Sequence, residues 1–182
     1  MSETKQVDFT FVIPNTRWHK GGEGRYWNHI PYPEGILTAV LRKNGYSVNH
    51  IDANTENLTE DELLQILKEK AGKVVGISAL SVEYRDSVHK SFAIIKKAKP
   101  NSKTVIGGVY PSISPDVAKE DENIDFVVIS EGEERLLKLM DAIKNKKDFQ
   151  HIDGLHYRDE DNIWKHNPRK AIGNVKNLDD LP

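Results

Sequence analysis

Three short segments of this chain are apolar at nearly every position: residues 7–13 (VDFTFVI), 74–80 (VVGISAL) and 124–129 (IDFVVI). A strand with one wet face alternates apolar and polar residues, whereas a strand covered on both faces does not. Between these runs the period changes to that of a helix. Residues 34–43 pair Ile36 with Val40 and Leu37 with Leu41, and stop near Gly45. Thr59 and Glu62 have the spacing of a capping box, with Leu58 and Leu63 placed as a hydrophobic staple, so a second helix runs to about Lys70 and ends at Gly72. Val88, Phe92 and Ile95 form one stripe ahead of Pro100, and Leu136, Met140 and Ile143 form another. Weaker strands fall at 46–52 and 103–106, and Ser114-Pro115 opens a brief helix. Five strands alternating with helices predict a doubly wound α/β domain around a parallel sheet, of flavodoxin-like order 2-1-3-4-5, over residues 1–148. Residues 149–182 have a different texture. There 154–158 and 163–166 flank Asp159-Glu160-Asp161-Asn162, which predicts a β-hairpin appendage followed by a linker.

Composition narrows the function classes. Among 182 residues, 26 Lys and Arg balance 28 Asp and Glu for a net charge of -2, so no field favours nucleic acid or an anionic membrane. The absence of cysteine excludes disulfides, thiolate-bound zinc, iron–sulfur ligation and a thiol nucleophile on this chain. No apolar run reaches the roughly 18 residues of a membrane span, and the polar start Met1-Ser2-Glu3-Thr4-Lys5 is not a secretory signal. A cytoplasmic location is the expectation.

In an open parallel sheet, ligands bind beyond the carboxyl ends of the strands. After the first strand comes a long stretch, 14–33, without helical period but with Gly21, Gly22 and Gly24, Trp18, Trp27, Tyr26, His19 and His29. Such a loop either folds over its own aromatic cluster or covers a flat ligand. After the third strand come Ser78, Ala79, Leu80 and Ser81, with Gly76 inside the strand, where glycine marks a close approach. After the fourth come Gly107, Gly108, Val109, Tyr110 and Pro111, a bare backbone against which a ligand can lie or a simple tight turn. After the fifth come Ser130, Glu131, Gly132, Glu133 and Glu134, whose carboxylates suit a helix N-terminus and argue against a phosphate there. A phosphate-binding G-x-x-x-x-G-K-[ST] loop and a strand-adjacent G-x-G-x-x-G are both absent, as are the acids of a receiver domain and a flavodoxin's phosphate loop. The remaining groove is long, nearly uncharged and lined by small residues, which suits a bulky ligand threading along the sheet edge.

With Pro31-x-Pro33-x-Gly35-Ile36-Leu37, Val75-Gly76-Ile77-Ser78, Ile106-Gly107-Gly108-x-x-Pro111 and Asp125-Phe126-Val127-Val128-x-x-Glu131-Gly132-Glu133, the chain resembles the N-terminal cobalamin-binding domain of cobalamin-dependent radical S-adenosylmethionine enzymes. The tail matches as well, through Gly154-Leu155-x-Tyr157-Arg158, Asn167, Arg169 and Asn177-Leu178-Asp179-Asp180-Leu181-Pro182. The order and spacing of the pieces carry the resemblance, over nearly the whole chain. It implies cobalamin bound with its nucleotide base released from cobalt and no protein histidine in its place, because the Asp-x-His-x-x-Gly motif of methyl carriers is missing and His19 and His29 lack its spacing. It also implies a nucleotide tail running past Ser78, Ser81, Gly107 and Gly108, in a site that includes Ala79, Leu80, Val109, Pro111, Ser130, Glu131 and Gly132. The first loop, with Asn15, Thr16, Arg17 and Trp18, would then face the lower side of the corrin, where Trp18, Tyr26 or Trp27 could shield the cobalt. The radical domain in cis would add S-adenosylmethionine and a 4Fe-4S cluster. Without cysteine this chain cannot hold that cluster, so it is expected to be non-catalytic by itself and a truncated copy ending at Pro182. The parent reaction would be a methylation of an unreactive carbon or an oxidative cyclisation of the porphyrin side-chain type. The alternatives are a free-standing corrinoid sensor or adaptor and a flavin or nucleotide enzyme on the same fold.

Overall fold

The computed structural model of the chain describes residues 6–18, 31–169 and 182. His19, Tyr26, Trp27 and His29 lie outside the described residues. Strands β1 (Phe9–Ile13), β2 (Val48–Asp52), β3 (Val74–Ser78), β4 (Lys103–Gly107) and β5 (Phe126–Val128) are parallel, in the order β2-β1-β3-β4-β5. The helices between them are α1 (Tyr32–Lys43), α2 (Glu60–Lys70), α3 (Arg85–Ala98), the short pair α4 (Val109–Ile113) and α5 (Pro115–Lys119), and finally α6 (Glu133–Asn145). The capping box forms: the Thr59 hydroxyl accepts from the Glu62 N–H, and the Glu62 carboxylate accepts from the Thr59 N–H at 2.8 Å.

The hairpin is less separate than the sequence implies. Strands β6 (Leu155–Arg158) and β7 (Trp164–His166) extend the sheet to seven strands, with β6 antiparallel to β5. The open ladder of β5 draws β6 in, and the alternation of β6 buries Leu155 and Tyr157 while His156 and Arg158 turn to the other face.

Strand alternation sorts the core into two layers. One face carries Val12, Val75, Ile77, Ile106 and Val127 under α2 and α3; the other carries Phe9, Phe11, Val74, Val105, Phe126, Leu155 and Tyr157 under α1 and α6. No helix among the described residues is long and apolar enough to cross a membrane.

On the hairpin, burial holds the His156 imidazole at a pKa of about 4, against an ordinary 6.5, and the nearby His166 and Lys119 charges add to the effect. The folded state therefore binds fewer protons than the unfolded chain between those values. The neutral-imidazole contribution is fully present above pH 6.5 and drains as pH falls towards 4, by at most about 3 kcal/mol. Thermal unfolding at pH 5 and pH 7.5 should show a midpoint drop in the wild type that shrinks in His156→Asn; equal drops would refute the assignment.

A candidate functional site at the carboxyl edge of the sheet

The site grows out of which side chains share one face. Register places Phe11 beside Gly76, Gly76 beside Val105, and Val105 beside Phe126; one step closer to the carboxyl edge, Ser78 lies beside Gly107. On this face the strands thus carry bulky residues in their first halves and mostly small ones in their second halves. The opposite face stays filled by Ile77, Ile106 and Val127. The taper leaves a cavity of about 380 Å³ between the sheet, α1 and α6. Phe9, Phe11, Gly76 and Val105 form its floor; Leu37, Val128 and Leu136 line it; Ser78, Leu80, Gly107, Gly108 and Val109 lie at its strand-end side.

Two glycines are required by geometry. A Cβ on Gly76 would enter the Phe9 ring, so the ring lies flat across the strand only because position 76 has no side chain. Gly108 adopts φ +97°, and a Cβ there would stand 2.6 Å from the Ala79 carbonyl oxygen. That close approach lets Ala79 N–H bond to Gly107 O at 2.8 Å and Tyr110 N–H to Ala79 O at 2.9 Å, locking the ends of β3 and β4 together. Gly107 differs: a Cβ on it would meet nothing nearer than Val128 Cβ at 3.8 Å, so its missing side chain is open volume.

The mouth of the slot is polar and acidic. Ser130 takes a left-handed φ of +69° and its N–H donates to the Ser112 hydroxyl at 2.8 Å. Glu131, Gly132 and Glu133 follow at the start of α6, where carboxylates suit the helix N-terminus. This loop is braced from below by Arg135, which is fully buried. Its guanidinium donates to Glu131 O and Asp153 O, each at 2.8 Å, and pairs with the Asp153 carboxylate at 2.7 Å.

A second cavity, of about 290 Å³, opens where β1 and β3 end, lined by Thr16, Glu34, Ser78, Ala79, Leu80, Ser81 and Tyr84 among others. Ser78 and Leu80 line both cavities.

The expected site residues divide accordingly. Ser78, Leu80, Gly107, Gly108, Val109, Ser130, Glu131 and Gly132 line the slot, and Thr16, Ala79 and Ser81 line the second cavity. Asn15, Arg17, Trp18 and Pro111 line neither. Asn15 and Arg17 hydrogen-bond to the 54–58 turn, Trp18 packs on the core, and Pro111 is buried within α4. Phe9, Phe11, Leu37, Val105, Ser112, Ile113 and Leu136 were not anticipated, although period-2 alternation already places Gly76 and Ser78 on the same face of β3.

The described residues lining the two cavities include no histidine, lysine or arginine. The floor of such a slot, lined by Phe9, Phe11, Val105, Leu37 and Leu136, suits a bulky, neutral, largely apolar group.

The B12 binding domain family matches residues 29–140, more than half of the chain. Among curated proteins, cytidylyl-2-hydroxyethylphosphonate methyltransferase of Streptomyces wedmorensis is 29% identical over 149 residues, covering 71% of this chain and 28% of that protein. The anaerobic magnesium-protoporphyrin IX monomethyl ester cyclase of Rubrivivax gelatinosus is 30% identical over 152 residues, covering 81% of this chain and 27% of that protein. The chain thus spans less than a third of the length of these two relatives. Two solved structures share its fold. The radical S-adenosylmethionine methyltransferase TsrM of Kitasatospora setae, solved with cobalamin and a [4Fe-4S] cluster, superposes with a TM-score of 0.75 at 20% identity, over 92% of this chain and 30% of that one. The cobalamin-dependent S-adenosylmethionine radical enzyme OxsB, solved with aqua-cobalamin and S-adenosylmethionine, gives 0.74 at 22% identity, over 92% and 23%. A flavodoxin-like sheet, an apolar slot at its carboxyl edge and a family match across both lead to one conclusion: this chain is a cobalamin-binding domain of the B12 binding domain family.

Proposed function

We propose that the chain is the cofactor-holding module of a longer cobalamin-dependent radical S-adenosylmethionine protein, with residues 1–148 as the binding domain and 149–182 as the hairpin and link to the radical domain. The cysteine-free composition leaves the iron–sulfur cluster and S-adenosylmethionine to that other domain and suits a reducing cytoplasm. The parent reaction is a methylation or a cyclisation, the two activities named among its relatives.

When bound, cobalamin supplies a cobalt centre for methyl or electron transfer; this chain's residues bind and orient it. The slot takes the nucleotide tail, with the base off the cobalt. Gly76 and Gly107 provide depth, Leu37 and Leu136 clasp the base from α1 and α6, and Ser78, Ser112 and Ser130 meet the more polar atoms nearer the mouth. Leu80, between the two cavities, would contact the corrin, and the described lining residues offer no histidine to replace the base. The observation that carries this reading is the open volume over Gly107, on an otherwise close-packed sheet.

The test is direct. Purified protein is mixed with hydroxocobalamin, desalted, and its visible spectrum recorded; parallel samples receive cobinamide, which lacks the nucleotide tail, or flavin mononucleotide. Retained cobalamin with a base-off spectrum, and weaker retention of cobinamide, is the expected result. A base-on spectrum, indifference to the tail, or retention of flavin instead would overturn the proposal.

A further inference from the structure

Helix α4, which carries Val109, Ser112 and Ile113 along the slot, has only five residues and cannot hold its own position by internal hydrogen bonding. It is held from both sides. On one side the Ser112 hydroxyl donates to Gly108 O at 2.7 Å and accepts from the Ser130 N–H, tying α4 to the β5–α6 loop. On the other, Tyr110 is only 1% exposed and its hydroxyl lies 2.8 Å from Nε2 of His89 on α3. Nδ1 of the same imidazole lies 2.7 Å from Asp121 Oδ2, and Asp121 Oδ1 accepts from the Asn123 backbone at 2.9 Å and from its side chain at 2.8 Å.

Burial alone would push the Asp121 carboxyl up, but the hydrogen bonds from His89 and Asn123 outweigh it and hold the group below its ordinary range. The ionised carboxylate can only accept, so His89 gives it the Nδ1 proton, and Nε2 pairs with the Tyr110 hydroxyl. The chain therefore links Tyr110 through His89 to Asp121, and each link restrains the next. None of the three residues lines the slot. Tyr110 is nevertheless two residues from Gly108 and immediately follows Val109, so any shift of its ring moves the slot wall.

We propose that the Tyr110–His89–Asp121 chain is a positioning device that sets the width of the tail slot, and so governs affinity for the nucleotide tail rather than for the corrin ring. The proposal rests on the reading of the slot as the tail site. It assigns three positioning residues on the side of the sheet opposite the slot.

The experiment titrates the full chain and the variants Tyr110→Phe, His89→Leu and Asp121→Asn with hydroxocobalamin and with cobinamide, following the visible spectrum, with thermal melts as a folding check. Removing one link of a buried hydrogen-bond chain should weaken cobalamin binding roughly tenfold. Cobinamide binding should not change, so the preference for the tailed ligand collapses in the variants. Folded variants that lose affinity for both ligands together would overturn the positioning role, as would variants that bind both like the wild type. Asp121→Asn keeps the side-chain size and reads the same ratio if either of the other variants fails to fold. Should the wild type itself show no preference for cobalamin over cobinamide, the slot reading fails as well; a wild-type preference that survives in all three variants refutes the positioning chain alone.

Discussion

Gly107→Leu is expected to abolish retention of cobalamin while leaving the fold intact. The backbone at 107 lies outside the left-handed region, and a Cβ there has nothing nearer than 3.8 Å, so the new side chain meets no steric penalty at its root. Beyond the root it must enter the space over Ser78 and Val128 that the tail would use. A buried apolar group of this size contributes about 1.5–3 kcal/mol, so expelling the base should cost roughly 10- to 150-fold in affinity. Cobalamin titration beside a thermal melt checks it: loss of binding with an unchanged midpoint is the expected pair, and wild-type affinity would sink the slot. Gly108→Ala is the instructive contrast. There the strain falls on the backbone, against Ala79 O, so stability drops together with binding.

Asp153→Ala should produce the largest loss of stability of any single change outside the core. Arg135 is fully buried, and Asp153 supplies the carboxylate that neutralises it at 2.7 Å. Removing one partner of a buried pair strands the other charge, at a cost of about 3–5 kcal/mol. At about 2–4 °C per kcal/mol, the melting midpoint should fall by roughly 10 °C. The double variant Arg135→Leu/Asp153→Leu should lose less than Asp153→Ala alone, because it removes the charge as well as its partner. A midpoint within a degree or two of the wild type for Asp153→Ala would show that the buried guanidinium is satisfied without its carboxylate. Arg135 also holds Glu131 O, so Asp153→Ala should loosen the slot mouth and weaken cobalamin binding.

The two predictions differ in how far the sequence announces them. Gly107 is visible as half of a glycine pair at a strand end, and strand ends are where ligands of such sheets bind. Arg135, by contrast, reads as one more polar position of an amphipathic helix. Its burial depends on Asp153, eighteen residues away, reaching it through the left-handed turn at Gly154, where a Cβ would lie 2.8 Å from Arg135 Nε. The first loop shows the same limit. Arg17 and Asn15 have the polarity of ligand contacts, yet their side chains bond to the turn after β2, because the 54–58 backbone offers acceptors close by. The hairpin is legible as a hairpin from its turn, but not as the continuation of the sheet.

Local chemistry in the chain was enough to determine the element order, the parallel strands, the Thr59 cap and the glycines that bare the carboxyl edge. Each depends on residues within a few positions of one another, and period and capping are short-range properties. The depth of the slot, the buried Arg135 brace and the Tyr110–His89–Asp121 chain were decided only when distant strands and helices packed. The brace and the chain join neighbours 18 to 32 residues apart in sequence and the slot floor joins Phe9 to Gly76 across a still longer separation, and no local pattern records which of them will meet.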